Sequence, residues 1–503
     1  MPLILAKMLI VTYCFIIFFI KATIGVKTSK HLNYSPDVVF IIIDDMRLLP
    51  ESDIKLHNIQ NLAGRSIHFQ NAFAQQALCA PSRNSLLTGR RPDSLRLYDF
   101  YSYWRDEVAN FSTIPQIFKQ KGYETYSVGK VFHPGRSSNF TDDFPYSWSV
   151  TPYHAPSEKY KDATVCKDNI TNEFQDNLIC PVVVNEQPDK TLPDIEILNH
   201  AIDVLKTRNK TNPIFLAVGF HKPHIPLKFP MDYLARVPLE YISPPSFPNI
   251  PKNMPEVAWQ PWTDVRRRDD IKRLNIQFPY GTMPSNWTLK IKQSYVAASL
   301  YVDDLIGKLL HHIDMRKTIV VLTSDHGWSL GENGLWAKYS NFDVALKVPL
   351  MFYHPDLHPK TIKSPVELID IFPTIIHLAG LKSCIKKCIT PSEIKCYEGT
   401  NLIPVISNKN KFSISQYPRP SVKPQRNSDK PRLKDIKIMG YSLRTKRYRY
   451  TEWLSFNTKN ETFGNELYDH ISDPYESNNV YVKLKYKHVK YKLSKLLRGA
   501  ITT

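Results

Sequence analysis

Two strand-like runs end in residues able to hold a metal. Asp44 and Asp45 close D-V-V-F-I-I-I-D-D, which starts at Asp37, and Asp325 and His326 follow T-I-V-V-L-T-S from Thr318. Adjacent carboxylates repel unless positive charge sits between them. A divalent cation answers that need, and oxygen ligands favour calcium or magnesium. Alone, the Asp44–Asp45 pair reads as a cap at a strand-to-loop turn; two such ends together point to a metal site. A third stretch, A-L-C-A-P-S-R-N-S-L-L-T-G from Ala77 to Gly89, sets Cys79 and Arg83 at what reads as a helix start. There the positive end of the helix dipole favours developing negative charge.

These residues need a scaffold that brings strand ends together. The run from Asp37 is short, β-branched and apolar throughout, the pattern of a buried parallel strand. Similar runs start at Pro213, Thr318 and Val348, with intervening stretches long enough for helices, and the alternation predicts a large α/β sheet. In open sheets of this kind, sites form beyond the carboxyl ends of the strands. Helices are expected over Ser112–Lys121, where Pro115 follows a Ser/Thr cap, and over Lys290–His312, with apolar spacing through Tyr295, Ala298, Tyr301, Leu305 and Leu309. Pro223 to Pro284 reads as long surface loops. A boundary near Asn408 divides a catalytic region, 26–408, from 409–503, a small antiparallel sheet and a terminal helix.

At 503 residues, 42% hydrophobic and 22% charged, the composition is that of a globular chain and argues against disordered and fibrous classes. Lys7, the apolar run Met8–Ile20 and small residues near Thr23 and Gly25 read as a secretory signal over 1–25, with an uncleaved signal-anchor as the alternative. No later segment is apolar for long enough to span a bilayer, so the mature chain is expected to be free of the membrane. Seven N-x-S/T sequons suit this route: Asn33, Asn110, Asn139, Asn169, Asn209, Asn286 and Asn460. An oxidising compartment favours disulfides between Cys166 and Cys180 and between Cys396 and either Cys384 or Cys388; Cys14 leaves with the signal. The net charge of +19 favours polyanions. Its densest cluster, Lys483 to Arg498, reads as a terminal surface element and not as a nucleic-acid motif.

C-x-P-S-R followed by an apolar pair and T-G is matched from Cys79 to Gly89, and G-Y-E-T-Y-S-V-G-K-V-F-H follows from Gly122 to His133. On these two signatures the chain resembles the sulfatase family. The resemblance runs from about Val38 to Pro474. A-V-G-F-H-K-P-H-I-P, S-D-H-G-W-S-L-G-E-N-G-L-W-A-K-Y-S-N-F-D-V and Q-Y-P-R-P-S-V-K-P-Q-R narrow it to the branch that removes the 2-O-sulfate of terminal iduronate in heparan sulfate and dermatan sulfate. It implies an alkaline-phosphatase-like α/β fold with a large mixed, mostly parallel sheet flanked by helices, plus a smaller C-terminal antiparallel sheet. It also implies a lysosomal or secreted monomer.

Family chemistry further implies that formylglycine-generating enzyme oxidises Cys79 to 3-oxoalanine (Cα-formylglycine) during secretion. One hydroxyl of the hydrated aldehyde attacks sulfur, and the other then expels sulfate from the resulting ester. By resemblance, Asp44, Asp45, Asp325, His326 and the modified Cys79 ligate one calcium ion. Arg83 stabilises the hydrate, and Lys130 and Lys338 clamp sulfate oxygens. His133 exchanges a proton with the hydrate, and His221 protonates the departing sugar oxygen, a role that His224 in the same loop could exchange with it. Trp328 and Trp336 are candidates for the pocket wall, although buried aromatics next to a site are more often packing, and the loop after the paired acids is shorter than the family pattern, so the pocket rim near Arg47 is expected to differ. Two other readings stay open: a glycosaminoglycan exo-sulfatase acting at another position, and a non-catalytic glycosaminoglycan-binding protein. The latter requires loss of a metal ligand or of the C-x-P-S-R core, and neither is lost. A phosphomonoesterase would place Ser or Thr where Cys79 stands.

Overall fold

The central strand, Asp37–Asp44, is buried along its whole length. A strand hidden on both faces needs neighbours on either side and cover above and below, and the rest of the sheet supplies them. In this computed structural model the described residues are 35–49, 54–168, 172–381, 385–390, 393–403 and 412–501. The expected signal over 1–25, Cys14, Asn33, Asn169, Cys384 and the boundary at Asn408 lie outside them.

In chain order the elements used below are β1 (Asp37–Asp44), β2 (Ile67–Phe73), α1 (Cys79–Thr88), α2 (Ile114–Gln120), β3 (Glu124–Gly129), α3 (Pro193–Thr207), β4 (Ile214–Pro223), α4 (Ser285–His311), β5 (Thr318–Ser324), β6 (Lys347–Tyr353), β7 (Lys360–Ile362), β8 (Val366–Glu367), β9 (Ser413–Arg419), β10 (Ile438–Arg444), β11 (Tyr448–Ser455), β12 (Thr462–Asp469) and α5 (Lys487–Ile501). The large sheet has eight strands in the order β7-β2-β6-β5-β1-β4-β3, with β8 also pairing β2. β5, β1, β4 and β3 run parallel, and β6 is antiparallel to both its neighbours. α3 and α4 pack on β4.

Register sets up the site. Gly129 pairs with Gly219 and Gly219 with Ile42, and on the next rung Phe220 pairs with Ile43 and Ile43 with Ser324. His221, Asp44 and Asp325 are therefore each the first residue past one line of rungs, and Lys130 is the first past the line before it. Lys130 and Gly219 also meet through a hydrogen bond from the Lys130 N–H to the Gly219 carbonyl, 2.9 Å.

The four strands β9 to β12 form an antiparallel sheet in sequence order, covered by α5 through buried Leu493 and Leu497. This sheet meets the region of β2 and α1 through Gln416 N–H to the Gln75 carbonyl, 2.7 Å, and the Ser415 hydroxyl to the Ala74 carbonyl, 2.6 Å.

Several expectations need adjusting. The helix expected at Ser112–Lys121 is α2, where Thr113 and Gln116 form a capping box that starts the helix after Thr113. The helix expected from Lys290 starts at Ser285, just after Pro284, whose preset φ suits a helix entry. Between Pro223 and Pro284 the chain is not all loop: it carries the strand Leu227–Pro230 and short helical turns at Asp232–Ala235, Thr263–Arg266 and Asp269–Lys272. Proline density hid these turns, each too short to show a helical period. Cys166 bonds Cys180, and Cys388 bonds Cys396. Asn110, Asn139, Asn209, Asn286 and Asn460 are all exposed. No helix among the described residues is long and apolar enough to cross a membrane.

Gly219 is where fold and site are most tightly joined, since a Cβ there would lie 2.0 Å from the Lys130 carbonyl oxygen, a backbone atom with no freedom to swing away. Gly219→Ala is expected to cost at least the 1–3 kcal/mol typical of overpacking, roughly, and to displace Lys130. Thermal unfolding of the variant should show a lowered midpoint, and a wild-type midpoint would contradict this reading of the packing.

Candidate active site

Side chains of consecutive strand residues point to opposite faces, so Asp44 and Asp45 would diverge if β1 simply continued. The chain prevents this by putting Asp45 in the left-handed region, φ 61°, just after the pairing with β4 shifts register between Ile43 and Asp44. The turn is held by the Asp45 N–H to Asp325 Oδ1, 3.0 Å, by the Met46 N–H to Ser324 Oγ, 2.9 Å, and by the Tyr295 hydroxyl to the Asp45 carbonyl, 2.5 Å. Both carboxylates then face one point.

α1 brings Cys79 to the same point. Leu78 is extended, Cys79 opens the helix, and Arg83 follows one turn later on the same face. Arg83 is fully buried and donates from Nε to Asp325 Oδ2 and from Nη2 to Asp44 Oδ1, each 2.9 Å, with Nη1 on the Lys130 carbonyl. At the other end, Thr88 Oγ1 bonds the Asn84 carbonyl at 2.6 Å, and Gly89 stops the helix at φ 67°, where a Cβ would lie 2.9 Å from Phe372. The T-G of the motif is thus a helix stop that only glycine fits.

The structure gathers Asp44, Asp45, Cys79, Asp325 and His326 into one buried cluster. His326 Nε2 lies 3.4 Å from both Cys79 Sγ and Asp45 Oδ1. Lys338 Nζ is 2.8 Å from Asp45 Oδ1 and 3.0 Å from Cys79 Sγ, and Lys130 Nζ is 2.5 Å from Asp44 Oδ2. Burial works against the Asp44 charge, but Lys130, His224 and Arg83 together hold this carboxyl well below the usual range. Burial prevails at Asp45 and pushes its carboxyl up despite Lys338 and His326. Its Oδ2 is buried without a hydrogen-bond partner. A buried carboxylate oxygen without a hydrogen-bond partner is a position that a cation can satisfy, and this set of carboxylates with an imidazole suits a hard divalent metal. The residues present therefore fit a metal. Burial also pushes the Cys79 thiol up strongly, against the pull of Lys130 and Lys338, so the thiol keeps its proton.

Cys79, Lys130, His133, His221, His224 and Lys338 all line a cavity of about 360 Å³. His133 leans on Phe100, ring centroids 4.4 Å apart, and burial holds its imidazole well below the usual value. His221 and His224 separate here: His221 Nε2 has no hydrogen-bond partner and lies 3.6 Å from Glu158 Oε2, whereas His224 Nε2 lies 3.8 Å from Asp45 Oδ2. Trp328, Trp336 and Arg47 are not on the cavity wall. Both indoles are buried, and Arg47 is drawn inward to Glu332 at 2.7 Å and to the Trp328 carbonyl at 3.2 Å.

Three contributors escaped sequence reasoning. Asp194, in the first turn of α3, accepts the N–H groups of His221 at 2.6 Å and Lys222 at 3.1 Å and so fixes the histidine loop. An acid in a helix first turn is a visible signal, though its partner is not. Glu158 and His154 sit in T-P-Y-H-A-P-S-E-K-Y, which matches no motif. His154 bridges Asp142, 3.1 Å, and Glu158, 3.6 Å.

A buried carboxylate, imidazole and thiol cluster beyond a parallel sheet edge, flanked by two lysines and an arginine beneath a cationic cavity, defines a hydrolase of anionic esters on an alkaline-phosphatase-like fold. The chain belongs to the sulfatase family, whose model matches residues 36–381; residues 331–502 match the C-terminal region of N-sulphoglucosamine sulphohydrolase. It is 47% identical to iduronate 2-sulfatase of Homo sapiens, over 90% of this chain and 92% of that one, and 45% identical to the Mus musculus enzyme, over 91% and 93%. It is thus an iduronate 2-sulfatase-like sulfuric ester hydrolase. A solved phosphonate monoester hydrolase from Silicibacter pomeroyi shares the fold, with a TM-score of 0.69 at 19% identity over 93% of this chain and 95% of that one.

The His154–Glu158 pair makes stability depend on pH. Hydrogen bonding to Asp142 and Glu158 pushes His154 up to about 10, and its contribution is full below the ordinary histidine value of 6.5 and lost as pH rises toward 10. Burial opposes the Glu158 charge, but His154 and His221 pull this carboxyl down to about 2, so its contribution holds above 4.5 and is lost as pH falls toward 2. The difference in melting temperature between wild type and His154→Ala is expected to be widest between these ordinary values and to close toward pH 10. A difference that does not change with pH would remove the ion-pair reading.

Proposed function

We propose that this chain hydrolyses the 2-O-sulfate ester of terminal iduronate in heparan sulfate and dermatan sulfate, in lysosomes or outside the cell. The observation that carries the reading is the position of Cys79, a buried thiol packed between Lys338 and His326 at the floor of the cavity. Burial pushes its pKa up, which makes a plain thiol a poor nucleophile there. Its position makes sense if the side chain works in another oxidation state, and near-full-length similarity to iduronate 2-sulfatases supplies that state, the formylglycine aldehyde. When hydrated, the aldehyde offers one hydroxyl for attack on sulfur and a second to release sulfate.

Asp44, Asp45, Asp325, His326 and the modified residue 79 would hold calcium, which supplies charge to acidify a hydroxyl and polarise a sulfate oxygen. Arg83 fixes the orientation of Asp44 and Asp325 through its two bonds and helps hold the Asp44 carboxyl well below the usual range. Lys130 and Lys338 bring two ammonium groups to the cavity floor, where negative charge grows as the ester bond lengthens. His133, held neutral by burial against Phe100, is suited to accept a proton from the nucleophile. His221, with a free Nε2 beside the Glu158 carboxylate, is suited to carry a proton to the leaving sugar oxygen. His224 faces the carboxylate cluster instead, which favours His221 for this role.

Mass spectrometry of the peptide containing Cys79, taken from secreted protein, should show an aldehyde, and unmodified cysteine in fully active protein would overturn the mechanism. Assays on non-reducing-end 2-O-sulfated iduronate and 6-O-sulfated glucosamine should favour the former; the reverse preference would overturn the specificity. Lys338→Ala should lower kcat by roughly 10²–10³, the scale for losing one preorganised donor, in protein that still melts cooperatively.

A further inference from the structure

We propose that the exposed face of α5, with the segment leading into it, is a docking surface for sulfated polysaccharide chains, separate from the catalytic cavity. This rests on the sulfated-polymer reading above for the choice of ligand, but on different residues for its evidence.

From Ser477 to Thr503 the sequence has no Asp or Glu, yet carries Lys483, Lys485, Lys487, Lys490, Lys492, Lys495 and Arg498. The structure divides these seven by use. Arg498 Nε donates to Glu452 Oε2 at 2.5 Å and Lys490 Nζ to the Tyr481 carbonyl at 2.7 Å, so both serve the fold. The other five are exposed, and among the described residues none of them has a carboxylate within ion-pair distance. At about 100° per residue, Lys487, His488, Tyr491, Lys492 and Lys495 fall within one arc of roughly 140°. Leu493 and Leu497 occupy the opposite side, buried against β10 and β11. Evenly mixed surface charge would have placed acids among these lysines. Segregation of one sign on one face makes a local potential that a polyanion can meet with many charges at once.

The structure favours a polysaccharide over a lipid surface. An amphipathic helix binds bilayers by sinking its apolar side, and here that side is already used inside the protein. The outward face offers ammonium groups around Tyr491, 73% exposed, whose ring gives a sugar a surface to pack on. None of these residues lines the cavity. Binding a long chain here would keep its terminus close and raise the local concentration of ends that the cavity can take.

The test compares full-length wild type with Lys487→Gln/Lys492→Gln/Lys495→Gln and with a charge-matched control, Lys206→Gln/Lys210→Gln/Lys308→Gln, whose lysines are exposed elsewhere, on α3, in the loop after it and on α4. The probes are a size-defined heparin oligosaccharide and phosphatidylserine vesicles. The α5 variant should bind the oligosaccharide at least about tenfold more weakly, with a slope of log K against log salt shallower by about two, the counterions that three lysines release. The control should stay near wild type. Equal weakening of both variants would show that net charge alone is at work and would overturn the proposal, as would vesicle binding lost in the α5 variant while oligosaccharide binding is kept. Turnover of a small 2-sulfated iduronide should be unchanged in both variants. If that substrate is not turned over by wild type while the binding difference persists, the catalytic reading fails and the docking surface stands.

Discussion

Three carboxylates, Asp44, Asp45 and Asp325, are removed from water at one edge of the sheet, and the surrounding structure answers that burial. Isolated buried charges are prohibitively costly, so each must meet a cation. Arg83, Lys130 and Lys338 meet them at hydrogen-bond distance, and the formal charges cancel before anything binds. The cancellation is uneven, because Asp45 keeps a bare oxygen and a raised pKa while Asp44 is over-satisfied. A divalent ion at that unsatisfied corner would give the pocket net positive charge, the condition for holding an anionic ester.

That arrangement explains several distant features. Arg83 joins two parallel strand ends and the backbone of a third segment, so α1 must begin where β1 and β5 stop. Lys338 comes from an irregular stretch in which Ala337 and Tyr339 both have positive φ, a conformation that needs outside support. The C-terminal sheet gives it: Arg419 Nη2 holds the Tyr339 carbonyl at 2.8 Å, and Asn341 Nδ2 holds the Gly440 carbonyl at 2.9 Å. The small sheet is therefore part of what positions a cavity lysine, although it contributes no ligand to the cluster.

What could be read in advance follows the range of each interaction. The ends of β1 and β5 were visible because parallel strands buried on both faces leave an unbroken apolar run, and the polar residues that end it mark the sheet edge. The segment around Cys79 was visible because helix start, arginine one turn later and Thr-Gly stop are all local. The roles of Glu158 and Asp194 were not visible, since each acts on the histidine loop through long-range contacts, and His154, which pairs with Asp142 and Glu158, matches no motif. Trp328 and Trp336 follow the packing reading: although next to His326 and Lys338 in sequence, they turn inward to the core. His221 and His224 were inseparable in sequence, and the fold separates them by aiming one at Glu158 and the other at Asp45.

The net charge of +19 thus divides into two kinds of electrostatics. At the cavity floor the cations are buried, paired at short range and little affected by salt. On α5 they are exposed, where a screening length of about 8 Å at physiological salt confines each to its immediate surroundings. Net charge alone says little about binding, because lysines spread evenly over a surface are screened from one another. Segregation overcomes the screening: neighbours on one helix face lie within a screening length, so an anionic chain meets them as one field.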